Sequence, residues 1–431
     1  MLRIEKFRRL RKDEYGSLPV ILAIALVPLA GLVGGVADFG RAISERTRLN
    51  SALDAAVIVA AKAAQDADTA NKSSADVKSL AEKAGTDYFN SVQNLPAGTV
   101  PTVTVTVANR TVSVTGNYTA AVSTTLLGVL GIKSFSLTGN AASELSLSPM
   151  VDIYLLIDVS GSMAIGATTA DIKKLQDKFG CAFACHDGAS FSEGTGWRKT
   201  TYSDSFDWAQ KNGVNLRINE INVGITAFVT WLKSQSSANR RLRIAVYSFS
   251  NGIAPIVKLT ETLDSAANNL PSAPSASNTT EGGTHFSDIM PTFASIVGTS
   301  GDGTTTAKKL VIIATDGVQD PNRLWSLSGY EWMRPQVRPF DPADCRKVDR
   351  SVSVGVLYAP YINLSPDWGY LATLGMPSQI GNKGTRFDDI VPQLKQCATS
   401  AGLFVDASTS ASVGDAFKNI FSSFTTVRLS R

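Results

Sequence analysis

Histidine is nearly absent from this chain of 431 residues: only His186 and His285 occur. A zinc site built on imidazoles and the histidine-assisted nucleophiles are therefore poorly served, since each needs imidazole beside further ligands or bases. Cysteine is sparse too, with Cys181, Cys185, Cys345 and Cys397. Charged residues make up 18% and the net charge is +4, too small an excess at this length to point to a nucleic-acid partner. No monotonous tract and no internal repeat occurs. What is plentiful is apolar material, 44%, enough for a sizeable core. The length suggests two or three domains at roughly 100–200 residues each.

The apolar material is concentrated first in Ser17–Ala37, SLPVILAIALVPLAGLVGGVA, 21 residues without a charge. That matches the roughly 20 residues a helix needs to cross a bilayer. Pro19 and Pro28 are tolerated in membrane helices more readily than in soluble ones. A cleaved secretory signal is the rival reading, but its apolar core is about 7–15 residues and this run is longer. The helical pattern also continues through Asp38, so a retained anchor is expected. Arg3, Lys6, Arg8, Arg9, Arg11 and Lys12 precede the run, whereas Asp38–Glu45 holds only Arg41. The positive-inside rule then places residues 1–16 in the cytoplasm as a basic head and the rest of the chain outside, where disulfides persist.

Residues 38–147 read as a small α+β region. Leu49, Leu53, Ala56, Val57, Val59, Ala60 and Ala63 form a helical stripe within Phe39–Gln65. A second helix is expected over Ala75–Val92, with Ser74 as its cap. The period then changes to two. Thr99–Ala108 and Thr111–Tyr118 alternate around Asn109-Arg110, which predicts a hairpin. Leu126–Ile132 is an apolar patch, and Phe135–Leu145 is a further strand. Patterns alone give this region no function.

After Ser148-Pro149, short continuous apolar runs alternate with amphipathic stretches. The runs are Ile153–Val159, Leu242–Phe249, Lys309–Thr315, Val352–Ala359 and Leu403–Val405. Runs apolar on both faces suit a parallel sheet covered by helices. The helical candidates are Leu216–Ser234, with Ile218, Ile221, Ile225, Phe228, Val229 and Leu232 in one stripe, then Ser287–Val297, Asp388–Ala401 and Ser412–Phe424. The expected fold class is α/β, a doubly wound, mostly parallel sheet. In such sheets ligands sit beyond the carboxyl ends of the strands, at the topological switch point.

Three polar groups fall at those ends. VDIYLLIDVSGSM carries Asp158, Ser160 and Ser162; the glycine turn Glu281-Gly282-Gly283-Thr284 ends in a hydroxyl; LVIIATDG carries Asp316. Each alone is an ordinary turn or cap. In this order they form an oxygen-rich shell suited to a small hard cation, Mg²⁺ first, with Mn²⁺ or Ca²⁺ as alternatives. Neutral hydroxyl ligands leave the ion net positive charge, so an open position would attract an acidic residue of a protein partner.

DVSGSM, EGGTHFSDI and IIATDG resemble the three segments of a von Willebrand factor type A domain, here over residues 150–427. The resemblance implies a metal-ion-dependent adhesion site with Asp158, Ser160 and Ser162, then Thr284, then Asp316. The basic head, the span after Gly16, VADFGRA and RLNSALDAAVIVAA resemble the TadG-like proteins of tight-adherence (Flp) pilus assembly. That resemblance implies a TadE/TadG-like region, a single pass through the inner membrane and a periplasmic type A domain. Pseudopilins carry glutamate five residues after the cleavage glycine; Gly16 is followed by Ser17-Leu18-Pro19-Val20-Ile21, so prepilin-type processing is not expected.

An insert at about 164–215 contains Cys181-Ala182-Phe183-Ala184-Cys185-His186, one residue too long for a C-x-x-C-H haem site. Cys181–Cys185 is the plainer pairing, with Cys345–Cys397 across a strand and the next helix; four cysteines allow three connectivities. His285 either touches a ligand at the rim or is an ordinary helix-start residue. Trp197, Trp208, Trp325, Trp332 and Trp368 either line a partner face or pack internally. Three functions follow: a membrane-anchored, metal-dependent interaction module, a scaffold with an inactive metal site, and a metal-dependent hydrolase. The last is disfavoured because no nucleophile converges on Asp158 and Asp316.

Overall fold

The computed structural model describes residues 17–70, 72–180, 190–236, 241–272, 283–320, 337–361, 363 and 368–426. The chain divides into two compact units, Met1–Leu147 and Ser148–Arg431.

In the first unit one helix, α1 (Ser17–Thr69), runs unbroken through 53 residues. Its N-terminal part is long and apolar enough to cross a membrane. Past Asp38 the composition supports packing: Leu49, Leu53, Ala56, Val57, Ala60 and Ala64 are buried. The stripe is rotated slightly from the expected one, since Val59 and Ala63 are only half-buried and Ala52 and Ala64 turn inward. Helix α2 (Ser74–Asn90) is capped by Ser73, not by Ser74: the Asp76 N–H donates to the Ser73 hydroxyl at 3.2 Å. Both serines can cap; the one whose backbone is extended does so.

Strands β1 (Val100–Ala108), β2 (Thr111–Ser123) and β3 (Ser134–Ser146) form an antiparallel meander in the order β1-β2-β3. The β1–β2 turn holds Asn109 and Arg110 both at positive φ, 50° and 61°, as a two-residue hairpin with matching twist requires. Gly116 on β2 lets the sheet approach α1, because a Cβ there would lie 2.8 Å from Val57 Cγ1. The Arg110 guanidinium and the Asp68 carboxylate pair at 2.6 and 2.8 Å, both largely buried. The apolar patch 126–132 is not core. It forms a 3-10 turn whose Leu126, Val129, Leu130 and Ile132 are exposed.

The second unit is built on a six-stranded sheet in the order β13-β12-β9-β4-β7-β8. Its strands are β4 (Val151–Asp158), β7 (Leu242–Phe249), β8 (Ile253–Thr260), β9 (Lys308–Thr315), β12 (Ser353–Tyr358) and β13 (Phe404–Asp406). All pairs are parallel except β7–β8. The edge strand β8 is absent from the sequence expectation. It is half-exposed and contains Pro255, so it lacks a continuous apolar run. Two two-stranded ribbons stand apart, β5 (Phe191–Glu193) with β6 (Thr200–Tyr202), and β10 (Val318–Gln319) with β11 (Arg338–Pro339).

Alternate residues of β4 feed two cores. Ile153, Leu155 and Ile157 pack toward α5 (Arg217–Ser236) and α8 (Val413–Thr426), while Tyr154 and Leu156 pack toward α6 (Phe286–Val297) and α7 (Arg386–Cys397). The six expected stripe residues of α5 are all buried. Helix α7 ends at Cys397 rather than Ala401, because Ala398 turns to extended backbone. Cys345 and Cys397 form a disulfide with Cα atoms 5.2 Å apart. Cys181, Cys185 and His186 lie outside the described residues, as do Glu281, Gly282, Trp325 and Trp332. Within the insert, α3 (Thr169–Phe179) and α4 (Ser205–Lys211) flank the β5–β6 ribbon. Trp208 packs edge-on against Phe179, and Trp197 is 89% exposed at the ribbon tip.

Candidate functional site

The chain leaves β4 toward β7 on one side and leaves β9 toward β12 on the other. The carboxyl ends of the adjacent strands β4 and β9 therefore flank the switch point of the sheet. Register places Ile157 beside Ala314, so Asp158 and Thr315 are neighbours at that end. The Thr315 hydroxyl donates to Asp158 Oδ2 at 2.6 Å. The other oxygen, Oδ1, accepts the Ser160 N–H at 2.9 Å, which folds the DVSGS turn back on its own aspartate. The Ser160 and Ser162 hydroxyls then lie 3.0 Å apart.

Asp316 follows Thr315 directly and is fully buried, as is Asp158. Its Oδ1 accepts the Val318 N–H at 3.2 Å; its Oδ2 is a buried oxygen without a hydrogen-bond donor among the described residues. Thr284 is buried and held at the same end of the sheet by backbone bonds: its carbonyl accepts from Asp320, and the His285 N–H donates to the Ser250 carbonyl just beyond β7. Asp158, Ser160, Ser162, Thr284 and Asp316 thus all lie at the carboxyl edge of the central strands.

The electrostatics are unbalanced. Burial, and then the charge of Asp316, push the Asp158 carboxyl up to about 7. Asp316 is raised as well by burial, against the pull of the Arg217 guanidinium. Arg217 opens α5, with Nη1 3.7 Å from Asp316 Oδ2 and its guanidinium 4.8 Å over the Tyr361 ring. Its Nη2 is buried without a hydrogen-bond partner among the described residues. Burial lifts the Tyr361 hydroxyl well above its ordinary range and Tyr358 to about 12, so both rings stay neutral. His285 is 1% exposed at the start of α6 and its Nε2 has no hydrogen-bond partner among the described residues; it is packed rather than displayed.

Two buried carboxylates, one guanidinium and the hydroxyls of Ser160, Ser162, Thr284 and Thr315 leave this site short of positive charge. Among the described residues no three His, Cys, Asp or Glu gather as metal ligands, so any cation here would rest on hydroxyls as much as on carboxylates. The donor set, and an Asp316 Oδ2 whose charge partner Arg217 stands off at 3.7 Å, fit a small hard divalent ion. Sequence reasoning missed Arg217 and Tyr361; it placed Thr315 at the end of its strand but not its bond to Asp158. For Arg217 one local hint exists: a cation in the first turn of a helix opposes the helix dipole, so another partner has to hold it there.

Residues 16–65 match the model of the family described as putative Flp pilus-assembly TadE/G-like. No curated protein matches the chain in sequence. Among solved structures, an aerotolerance-related membrane protein from Bacteroides fragilis is 15% identical, covers 64% of this chain and 99% of its own, and superposes with a TM-score of 0.35. The vWF domain of the type V pili tip protein Mfa5 from Porphyromonas gingivalis is 12% identical, covers 65% and 96%, and has a TM-score of 0.35. The PilB minor pilin from Streptococcus sanguinis is 10% identical, covers 77% and 80%, and has a TM-score of 0.34. Likeness at this level carries nothing about site or partner. The fold is read from the strand order above: a segment similar to TadE/G-like proteins over residues 16–65 is followed by a unit built on a doubly wound, mostly parallel sheet.

Proposed function

We propose that this chain is a membrane-anchored protein-interaction module of Flp-type pilus assembly or anchoring, and that a divalent cation, Mg²⁺ first, mediates its contact. Ser160, Ser162 and Thr284 would bind the ion, with Asp158 and Asp316 holding its waters or ligating it directly. The observation that carries the reading is the pair of buried, upshifted carboxylates at the switch point, one with an unsatisfied oxygen. With both carboxylates ionised, as a bound cation requires, and Arg217 charged, the site carries −1, so a divalent ion leaves +1 facing outward, which suits the carboxylate of an acidic partner residue. The reading is binding rather than catalysis: among the described residues no cysteine, lysine or histidine nucleophile stands beside the carboxylates. The N-terminal basic head is assigned to the cytoplasm, Ser17–Ala37 to the membrane and the chain from residue 38 onward to the periplasm.

A scaffold with an inactive metal site is the alternative, and Arg217 favours it, because a guanidinium beside Asp316 already supplies part of the missing charge. Pull-down of pilus components with Asp158→Ala and Thr284→Ala, with and without EDTA, separates the two. Capture lost in both variants and with chelator supports the cation. Normal capture by folded variants in EDTA leaves the scaffold.

A further inference from the structure

The apolar turn after β2 has no place in the core, yet its backbone is tied down with care. The Asp38 carboxylate on α1 accepts the N–H groups of Thr125, Leu126 and Leu127 at 3.0, 2.9 and 2.8 Å. The N–H groups of Thr124, Val129, Gly131 and Ile132 are bonded within the turn, to the carbonyls of Lys133, Leu126, Gly128 and Leu127. A water-exposed loop has no need to pair its donors internally; a loop leaving water does. Its side chains do the opposite of a soluble loop. Val129 is 86% exposed, Leu130 55%, Leu126 50% and Ile132 47%.

The turn also runs back along the apolar part of α1. A Cβ at Gly34 would lie 2.6 Å from Leu126 Cβ, and one at Gly31 3.2 Å from Leu130 Cδ1. Gly31 precedes Asp38 by seven residues, about 10 Å along the axis at 1.5 Å per residue. The leucines are therefore beside residues that belong to the uncharged run, on the far side of Asp38 from the rest of the unit. We propose that the 124–133 turn is a second membrane contact, which seats Leu126, Val129, Leu130 and Ile132 in the boundary between headgroups and acyl chains beside the spanning helix. The occupant is lipid because the exposed patch is continuous with the exposed apolar face of α1, where Leu29, Leu32, Val33 and Val36 are more than half exposed. Seating at the boundary, about 5–10 Å deep, suits an irregular turn, which the hydrocarbon centre does not admit. The contact would fix the depth and tilt of the helix, which a lone helix leaves free. It rests on the reading of Ser17–Ala37 as a span.

The test uses the full chain in phosphatidylcholine–phosphatidylglycerol vesicles, with Cys181→Ser and Cys185→Ser and one nitroxide label at a time. Labels at Val129→Cys, at Leu22→Cys in the span and at Glu144→Cys on an exposed β3 position are compared for collision with oxygen and with a water-soluble nickel chelate. The expected result is a position 129 severalfold less open to nickel than 144 and rich in oxygen. If 129 is as open to nickel as 144 while 22 is lipid-like, the turn sits in water and the proposal fails with the anchor intact. If 129 is shielded from both reagents, a protein surface such as a second copy covers it, and the lipid assignment is overturned. A nickel-open label at 22 overturns the span itself, and this contact with it.

Discussion

The two units enclose apolar surface by opposite means. In the second, a sheet apolar on both faces is buried between helices, and volume is supplied by large rings: Phe228 lies 5.5 Å from Phe417 and 6.1 Å from both Trp231 and Phe421. In the first, β2 alternates strictly between buried and exposed, so only one face of the meander is covered. The helix covering it offers mostly alanine and valine. The difference teaches where each unit is vulnerable. One depends on filling space, the other on keeping backbones close.

Truncation of a large ring is the strongest way to expose that contrast. Phe228→Ala is expected to cost the second unit about 3–5 kcal/mol, because the ring is fully buried among other rings that cannot close the gap. Native-state hydrogen exchange, followed peptide by peptide, should show faster exchange in β4, β7 and α5 and unchanged protection in β1–β3. Matching losses in both units would mean that they unfold as one body, and the contrast would lose its basis.

Adding volume should reverse the pattern. At Gly116→Val the new methyls meet Val57 Cγ1 and Leu53 Cδ1, both already within 3 Å of the missing Cβ. Overpacking of this kind costs about 1–3 kcal/mol. The loss should appear as faster exchange in α1 beyond Asp38 and in β2, with the second unit unaffected. A neutral substitution would show that α1 can back away from the sheet, and that closeness is not what holds the first unit.

The same contrast explains what could be read in advance. Strands β4, β7 and β9 were legible because burial on both faces writes itself as a continuous apolar run. Strand β8 was not, since one edge and one face meet solvent and Pro255 breaks the run; yet Asn251-Gly252 between two β-rich stretches was a hairpin signal available to use. Asp158 and Asp316 could be placed at strand ends because two local patterns sufficed. Arg217 could not, because its partner is 99 residues away in sequence and the contact exists only once α5 has docked beside β9. The role of Thr315 was hidden for a related reason: the residue was visible, but its bond to Asp158 depends on the β4–β9 register. The apolar turn 126–132 was visible as a patch, but only its seat against Gly31 and Gly34 distinguishes it from core.

The smallest expected effect bears on a place where the second unit buries carboxylates instead of apolar rings. Asp158 is raised to about 7 in the folded chain, against an ordinary value of 3.8. For an acid shifted upward, the metal-free fold has its full stability below the ordinary carboxylate range and loses it as pH rises toward 7, where the unfolded chain ionises freely and the folded one does not. A divalent ion needs the ionised form, so its stabilising effect should grow over the same interval. At Mg²⁺ ten times its dissociation constant the gain is about 1.4 kcal/mol near pH 8 and small near pH 5. Thermal melts at both pH values, with Mg²⁺ or EDTA, check this. Asp158→Asn should be the more stable protein in EDTA at pH 8, because a buried repulsion with Asp316 is gone, and should gain nothing from Mg²⁺. An equal response to Mg²⁺ at pH 5 and pH 8, or a response retained in Asp158→Asn, would locate the cation elsewhere and leave the two carboxylates as a structural pair balanced by Arg217.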